Sequence, residues 1–279
     1  MVETKLLTVG WPGLKLTPEA LKINVETVSQ RLQKLLKSLV ETSGASGVVV
    51  GLSGGVDSST VAALAAEALG GSRVYGVTMP EEGLTSRVDV EDAEKLAEKF
   101  GLNFYKAEIS QVVEAFERVI PVFAREETVA WGNLKPRIRM TILYYFANRF
   151  NLLVAGTGNR SELLVGYFTK YGDGAADFLP IGGLYKTQVF QLAAHLGVPS
   201  RILEKTPTAG LWPGQTDEGE LGVKYATLDL ILHGLVDLRL PKGEVASQLG
   251  VPVSLVEKVE GMVEASAHKR LPAPVLQPF

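Results

Sequence analysis

The run Gly51-Leu52-Ser53-Gly54-Gly55-Val56-Asp57-Ser58-Ser59 constrains this chain more than any other stretch. It follows the apolar Gly47-Val48-Val49-Val50 and precedes Thr60-Val61-Ala62-Ala63-Leu64-Ala65-Ala66. A strand is therefore predicted to end at Gly51 and a helix to begin near Ser58. Paired glycines allow a tight turn that aims consecutive N–H groups into one concavity, and the hydroxyls and helix N-terminus add donors and positive potential. Such a turn suits phosphate. It lacks the Gly-Lys-Ser/Thr ending of a Walker A loop, which removes ordinary P-loop γ-phosphate cleavage. Asp57 is the unexpected residue, because an acid beside phosphates is repelled unless a divalent cation lies between them. It is therefore a candidate Mg²⁺ ligand. The plain alternative is a Gly-rich turn in which Asp57 and Ser58 cap the next helix.

A chain of 279 residues, 46% hydrophobic and 21% charged, can build one large α/β domain with a substantial core. Its net charge of −3, without a block of like charges, argues against a nucleic-acid or membrane-surface partner. There is no cysteine, which excludes disulfides, thiolate metal sites and a cysteine nucleophile. The histidines, His195, His233 and His268, are too widely separated to suggest a zinc centre. The N-terminus shows no long apolar segment with a small-residue cleavage site, and no run reaches about 18 apolar residues. A cytoplasmic protein is expected.

Taken in order, Thr17-Pro18-Glu19 signals a helix start, and Leu21, Val25, Val28, Leu32, Leu35 and Leu39 follow at steps of three and four. One amphipathic helix is predicted over 17–40. After the Gly-rich loop, strands are predicted at Val74 to Met79, Leu102 to Ala107 and Leu152 to Ala155, separated by helical faces over 90–100, 112–120 and 135–150. Alternating strands and helices imply a doubly wound parallel sheet flanked by helices, Rossmann-like, with right-handed crossovers. Ligands in such sheets bind beyond the strand C-termini where the strand order reverses, so the first and fourth strands are expected to flank the crevice. The fourth strand feeds Gly156-Thr157-Gly158-Asn159-Arg160-Ser161-Glu162, a second Gly-rich loop that brings Glu162 towards Asp57. Two carboxylates converging on polyphosphate make sense if they share a cation. Asn159 and Ser161 equally serve as a helix start with Glu162 in its first turn.

Residues Tyr167 to Phe178 are too rich in glycine, charge and aromatics for a core element and read as a substrate loop. Lys186 opens another amphipathic helix, where a cation opposes the macrodipole and a bound anion would explain it; a solvated lysine is the alternative. Residues 206–222 carry two prolines, Trp212 and the acids Asp217, Glu218 and Glu220 without an apolar period, as lids and binding loops do. Three C-terminal helices follow, at about 225–235, 242–249 and 253–268. The pair around Gly250-Val251-Pro252 superficially suggests helix-turn-helix DNA binding, but its acidic flanks favour a packed helical cap. The chain thus divides into an N-terminal helix, an α/β core with substrate loops over 47–222, and a cap over 223–279, all in one domain.

The Ser-Gly-Gly-x-Asp-Ser core of the first loop resembles the N-type ATP pyrophosphatases, or PP-loop enzymes, which split ATP into AMP and pyrophosphate. With Gly156-Thr157 through Glu162, Tyr171-Gly172-Asp173-Gly174, Pro207-Thr208-Ala209, Gln215-Thr216-Asp217-Glu218 and His268-Lys269-Arg270, nearly the whole chain resembles the ammonia-dependent NAD synthetases. That resemblance implies amidation of nicotinic acid adenine dinucleotide (deamido-NAD) to NAD by ammonia, with ATP as co-substrate, and a homodimer. It assigns Gly51, Leu52, Ser53, Gly54, Gly55, Val56, Asp57, Ser58, Thr157, Lys186 and Thr208 to ATP, and Asp57 and Glu162 to Mg²⁺. Asn133, Arg137, Lys170, Asp177, His268 and Lys269 fall on deamido-NAD. Gly210 stands where some relatives carry an acid, so no role is carried over to it. The expected catalytic residues are Asp57, Lys186, Thr208 and Asp173. Asp173, as a base for ammonium, is equally a glycine-flanked turn former. An RNA-modifying enzyme on the same fold would be expected to show a basic surface, and a nucleotide sensor would bind without forming AMP; both stand as alternatives.

Overall fold

The computed structural model describes residues 15–277; the reading of the extreme N-terminus concerns residues outside that span. A parallel sheet in the order β3-β2-β1-β4 is built from β1 (Gly47–Gly51), β2 (Val74–Thr78), β3 (Asn103–Lys106) and β4 (Leu152–Val154). In the central strand, Val48, Val49 and Val50 are all fully buried, as a strand covered on both faces requires. The register pairs Val49 with Tyr75 on one side and with Val154 on the other. The chain runs outward from β1 through β2 to β3, then returns to place β4 on the opposite edge of β1. That reversal opens a crevice beyond the C-terminal ends of β1 and β4.

Alternation along β1 feeds two cores. Val48 and Val50 join the cluster under α1 (Val25–Ser43), α2 (Val56–Leu69), α3 (Arg87–Phe100) and, later in the chain, Val189 and Leu192. Val49 faces the other layer, made by α4 (Ser110–Val119) and α5 (Thr128–Phe150) through Val113, Ile138 and Leu143. After β4 come α6 (Arg160–Val165), α7 (Lys186–His195), α8 (Ser200–Leu203) and α9 (Asp217–Leu221). The cap comprises α10 (Tyr225–Leu232), which continues into a π-turn His233–Asp237, then α11 (Lys242–Leu249) and α12 (Val253–Ala265). A third core joins the cap to Val165 of α6 and to Leu16 and Leu21. Val245 and Val256 of the helix pair around Gly250 are spent inside that core, as the packed-cap reading expected.

Three elements differ from the sequence reading. The N-terminal helix starts at Val25, capped by the Asn24 side chain accepting from the Thr27 N–H at 2.9 Å, while Pro18–Leu21 form one 3₁₀ turn. Long-range bonds separate the two: the Leu21 carbonyl accepts from Gln188 and Gln191, and Gln191 accepts from the Ile23 N–H. Secondly, α5 begins at Thr128 rather than Lys135 and carries Pro136 in its interior. The residue whose carbonyl loses its partner there is Gly132, where a Cβ would come 2.9 Å from the Trp212 ring. Thirdly, the loop 206–222 ends in α9, whose Thr216 cap accepts from the Gly219 N–H at 3.2 Å. No helix among the described residues is long and apolar enough to cross a membrane.

Leu64 is wholly buried in the core under α2, so Leu64→Ala is expected to cost about 2–5 kcal/mol, part lost transfer energy and part cavity. Urea unfolding of the nucleotide-free protein measures it, and a cost below about 1 kcal/mol would show that this core collapses around the deletion.

Candidate active site

The first Gly-rich loop leaves β1 with the Leu52 N–H bonded to the Val77 carbonyl at 2.9 Å. Gly54 has φ +77°, and a Cβ there would come 2.4 Å from the Asp89 carbonyl oxygen, so both conformation and space demand glycine. Ser53 and Ser58 hydroxyls lie 3.1 Å apart, and Ser58 donates to the Gly55 carbonyl at 3.1 Å. The cap of α2 is Gly55, with no side-chain cap bond. Asp57 is therefore free of the capping role that offered the plain explanation for it. Its carboxylate instead crosses the crevice, accepting from Asn159 Nδ2 at 3.0 Å and from Lys186 Nζ at 2.5 Å.

Glu162 has two functions at once. One oxygen accepts from the Asn159 N–H in a capping box that starts α6. The other lies 3.2 Å from Lys186 Nζ. The helix start read in this loop is present, and Glu162 and Asp57 both reach the same ammonium. Lys186, first residue of α7, is 2% exposed, which rules out a solvated surface lysine. Burial works to lower its pKa, but the Asp57 and Glu162 carboxylates outweigh burial and hold it above the ordinary lysine value. Burial pushes Glu162 up to about 8 against the pull of Lys186, with Asp57 and Asp217 acting in the same direction as burial. A cation and an anion both raised in one cluster mean that acids outnumber bases.

Asp217 is the third carboxylate. It is buried, its Oδ2 accepts from the Tyr225 hydroxyl at 3.1 Å, and its Oδ1 has no partner. Burial raises its pKa. The Tyr225 ring also faces Lys186 Nζ, 5.1 Å from its centroid. No group of three acid or histidine ligands that could hold a metal by itself occurs among the described residues. A cation here would draw on Asp57 and Glu162 and complete its shell from a phosphorylated ligand, the usual habit of Mg²⁺.

A cleft of about 830 Å³ joins these groups to the rest of the site. The loop residues 51–58, Thr157, Glu162, Lys186, Thr208, Asn133, Asp173 and Lys269 all line it. Thr208 spends its hydroxyl inside its own loop, donating to the Gln215 carbonyl at 2.7 Å and accepting from the Gly210 N–H. Asp173 accepts from the Thr169 N–H at 2.9 Å, as a turn former does. Surrounding protein pushes its carboxyl upward; the residue is open to solvent, which screens that effect. Asn133 accepts from the Thr169 hydroxyl, and Lys269 Nζ is held by the Gly166 and Phe168 carbonyls at 2.8 and 2.9 Å. The other expected substrate residues are not on the cleft wall. Lys170 donates to the His268 carbonyl at 2.7 Å, and Arg137 donates to the Lys170 carbonyl. Asp177 accepts from the Val154 N–H at 2.7 Å and from the Tyr144 hydroxyl at 3.0 Å. Arg137, Tyr144, Tyr145 and Tyr171 border a separate shallow depression.

Three cations were missed in the sequence. Arg139 opens into the cleft with one hydrogen bond, from Nε to the Met79 carbonyl at 3.1 Å; its signal was the Arg137-x-Arg139 pair. Lys205 braces the first Gly-rich loop, donating to the Gly54 carbonyl at 3.1 Å while pairing with Asp89 and Asp92, each at 2.6 Å. Lys135 is fully buried, its Nζ 2.8 Å from the Leu211 carbonyl, 2.9 Å from Glu81 Oε2 and 3.5 Å from the Trp131 ring centroid. Neither lysine has a local signature, because its hydrogen-bond and ion-pair partners lie far along the chain.

Comparison with known proteins places the chain in context. The NAD synthase family model matches residues 28–273. The NH(3)-dependent NAD(+) synthetase of Archaeoglobus fulgidus is 53% identical over 253 residues, covering 91% of this chain and 97% of that protein. Its counterpart from Methanocaldococcus jannaschii is 47% identical over 248 residues, covering 88% and 95%. Among solved structures, an NMN synthetase from Francisella tularensis superposes with a TM-score of 0.81 at 37% identity, covering 92% of this chain and all of that one. An NH3-dependent NAD synthetase from Campylobacter jejuni gives 0.76 at 29% identity, again covering 92% of this chain and all of that one.

The raised Glu162 makes stability depend on pH in the free protein. Between its unfolded value of 4.5 and its folded value of about 8, the folded state binds the extra proton. Stability should therefore fall as pH rises through that window, and Glu162→Gln should remove this loss. Urea unfolding at steps from pH 5 to pH 8, without nucleotide or divalent cation, tests it; parallel profiles for the two proteins would contradict the assignment.

Proposed function

The chain belongs to the NAD synthase family, and from that premise we propose how its residues carry the reaction. The protein is a ligase that uses ATP and ammonia to amidate deamido-NAD, giving NAD, AMP and pyrophosphate. The observation that carries the residue assignment is the meeting of Asp57, Glu162 and Lys186 at the head of the phosphate loop, with Lys186 Nζ 2.5 Å from one acid and 3.2 Å from the other.

A carboxylate cannot expel oxide, so its oxygen first attacks the α-phosphorus of ATP and pyrophosphate leaves. Ammonia then attacks the acyl carbon of the resulting acyl-adenylate and expels AMP. Neither step needs a protein nucleophile, in keeping with a chain that has no cysteine. What the protein supplies is alignment and charge neutralisation. The N-terminus of α2 and those amides of the 51–58 loop that the fold leaves unbonded receive phosphate oxygens, Thr157 and Thr208 border the nucleotide, and Lys186 meets the charge that develops at phosphorus. Asp57 and Glu162 would hold Mg²⁺, which fits a pocket where three carboxylates face one ammonium and Asp217 Oδ1 lacks a partner. Bound there, the ion would neutralise the triphosphate and favour the departure of pyrophosphate. Asp173 remains the proposed acceptor of the proton that ammonium loses.

Deamido-NAD is assigned to Asn133, Arg137, Lys170, Asp177, His268 and Lys269. Since Arg137 borders the outer depression and Asp177 is tied to it through Tyr144, part of this set faces away from the cleft. The exposed Tyr145 and Tyr171, at 70% and 63%, ring that depression. A second copy closing over it would complete the dinucleotide site and account for a homodimer. The reading also places the enzyme in the cytoplasm.

Incubation with ATP, Mg²⁺, deamido-NAD and ammonium should give NAD, AMP and pyrophosphate in equal amounts. Because one structural relative is named for NMN, the deamidated mononucleotide belongs in a parallel reaction; faster turnover of it would shift the assignment to that substrate. Glutamine freed of ammonium should give no NAD, and comparable rates from glutamine and ammonium would overturn free ammonia as donor. Asp57→Asn and Glu162→Gln should each reduce turnover about 10²-fold or more, while the double variant falls far short of the product of the two. Full additivity in kcat would separate the two acids and count against a shared ion.

A further inference from the structure

Asp229 lies on α10, outside both Gly-rich loops and outside the cleft wall, and is wholly buried. It forms no ion pair with a basic side chain among the described residues, yet both its oxygens are used. Oδ1 accepts from the Ser161 hydroxyl at 2.5 Å, and Oδ2 accepts from the Thr187 N–H at 2.8 Å. Ser161 in turn accepts from the backbone N–H of Lys186 at 2.9 Å. A backbone N–H can only donate, so the Ser161 oxygen receives it and its hydroxyl proton is free to go to Asp229 Oδ1. Burial raises the pKa of Asp229, and the Ser161 hydroxyl and the Thr187 N–H work against it by donating to the charged form.

The consequence falls on Lys186. The first two N–H groups of α7, from Lys186 and Thr187, have no partners inside their own helix, and α7 has no ordinary Ser, Thr, Asp or Asn cap, since Tyr185 stands there. Asp229 supplies both, one directly and one through Ser161. Ser161 itself immediately precedes Glu162 on α6. One carboxylate thus fixes the start of the helix that carries the lysine to the start of the helix that carries its acid. Tyr225, one turn earlier on the same face of α10, contacts Lys186 and Asp217. An unpaired buried carboxylate is costly, and a neutral Ser or Asn would cap α7 nearly as well. The helix end and its lysine together give the charge a reason.

We propose that Asp229 is a positioning residue for the reaction, holding Lys186 Nζ in register with Asp57 and Glu162 through Ser161 and the first turn of α7. This rests on the reading that Lys186 acts on the transition state, and the two can fail separately. Misplacing a catalytic group by about 1 Å costs on the order of 10²-fold, so Asp229→Asn, which removes charge and one acceptor at constant shape, should lower kcat at least about 10-fold. KM for ATP should change less than about threefold, because loop 51–58 is untouched.

The deciding measurement is a double-variant cycle with Lys186→Met, followed by AMP release in single turnovers at high enzyme concentration and corrected for folded fraction by circular dichroism. If Asp229 acts through Lys186, Asp229→Asn costs little once the ammonium is gone. Equal cost in both backgrounds, or an unchanged kcat in the single variant, would overturn the proposal. Full activity of Lys186→Met would instead overturn the role given to Lys186. Should Asp229→Asn not fold, Ser161→Ala removes only the bridging hydroxyl and must show the same dependence on Lys186; additivity there also overturns the proposal.

Discussion

The whole arrangement depends on one strand that has no free face and no free edge. β1 bonds to β2 and β4 in parallel, and its three valines are completely buried. A parallel strand of this kind needs helical crossovers above and below it. Those crossovers bring every strand-to-helix loop to the same end of the sheet. The Gly51 to Ser58 loop, the Thr157 to Glu162 loop and the β2–α3 loop with Met79 and Glu81 therefore share one rim. The cleft is a consequence of covering β1 rather than an addition to it.

On that rim the protein accumulates charge in an unfavourable place. Three carboxylates gather around one buried ammonium, and the rise of Glu162 to about 8 together with the unpaired Asp217 oxygen registers the imbalance. Free, the pocket bears that strain. The acids and the lysine are held in fixed orientation, which is the condition under which electrostatics lower a barrier most. The stability of the remaining molecule offsets the local cost, as is common where groups are held for function.

How much of this could be read in the sequence follows the range of each interaction. Gly51 to Ser58, the strands and Lys186 at a helix start are local patterns, and each falls where its periodicity or turn chemistry puts it. The adjacency of β1 and β4 came from a general rule about switch points. What escaped depends on distant residues. The start of α1 is displaced because Gln188 and Gln191 claim the Leu21 carbonyl and the Ile23 amide. Pro136 sits inside α5 because Gly132, Trp212 and Lys135 make a compact seam there. The tie between Asp217 and Tyr225 spans two elements that neither periodicity nor motif connects, and the outward placement of Arg137 and Asp177 has no signal in one chain.

The buried Lys135 joins two parts of the rim that are far apart along the chain. Its single ammonium meets Glu81 in the β2–α3 loop and the Leu211 carbonyl in the loop after α8, with the Trp131 ring against it. Releasing either loop would leave this cation one polar partner short in a dry site, so a change in one loop is felt by the other through a single ammonium.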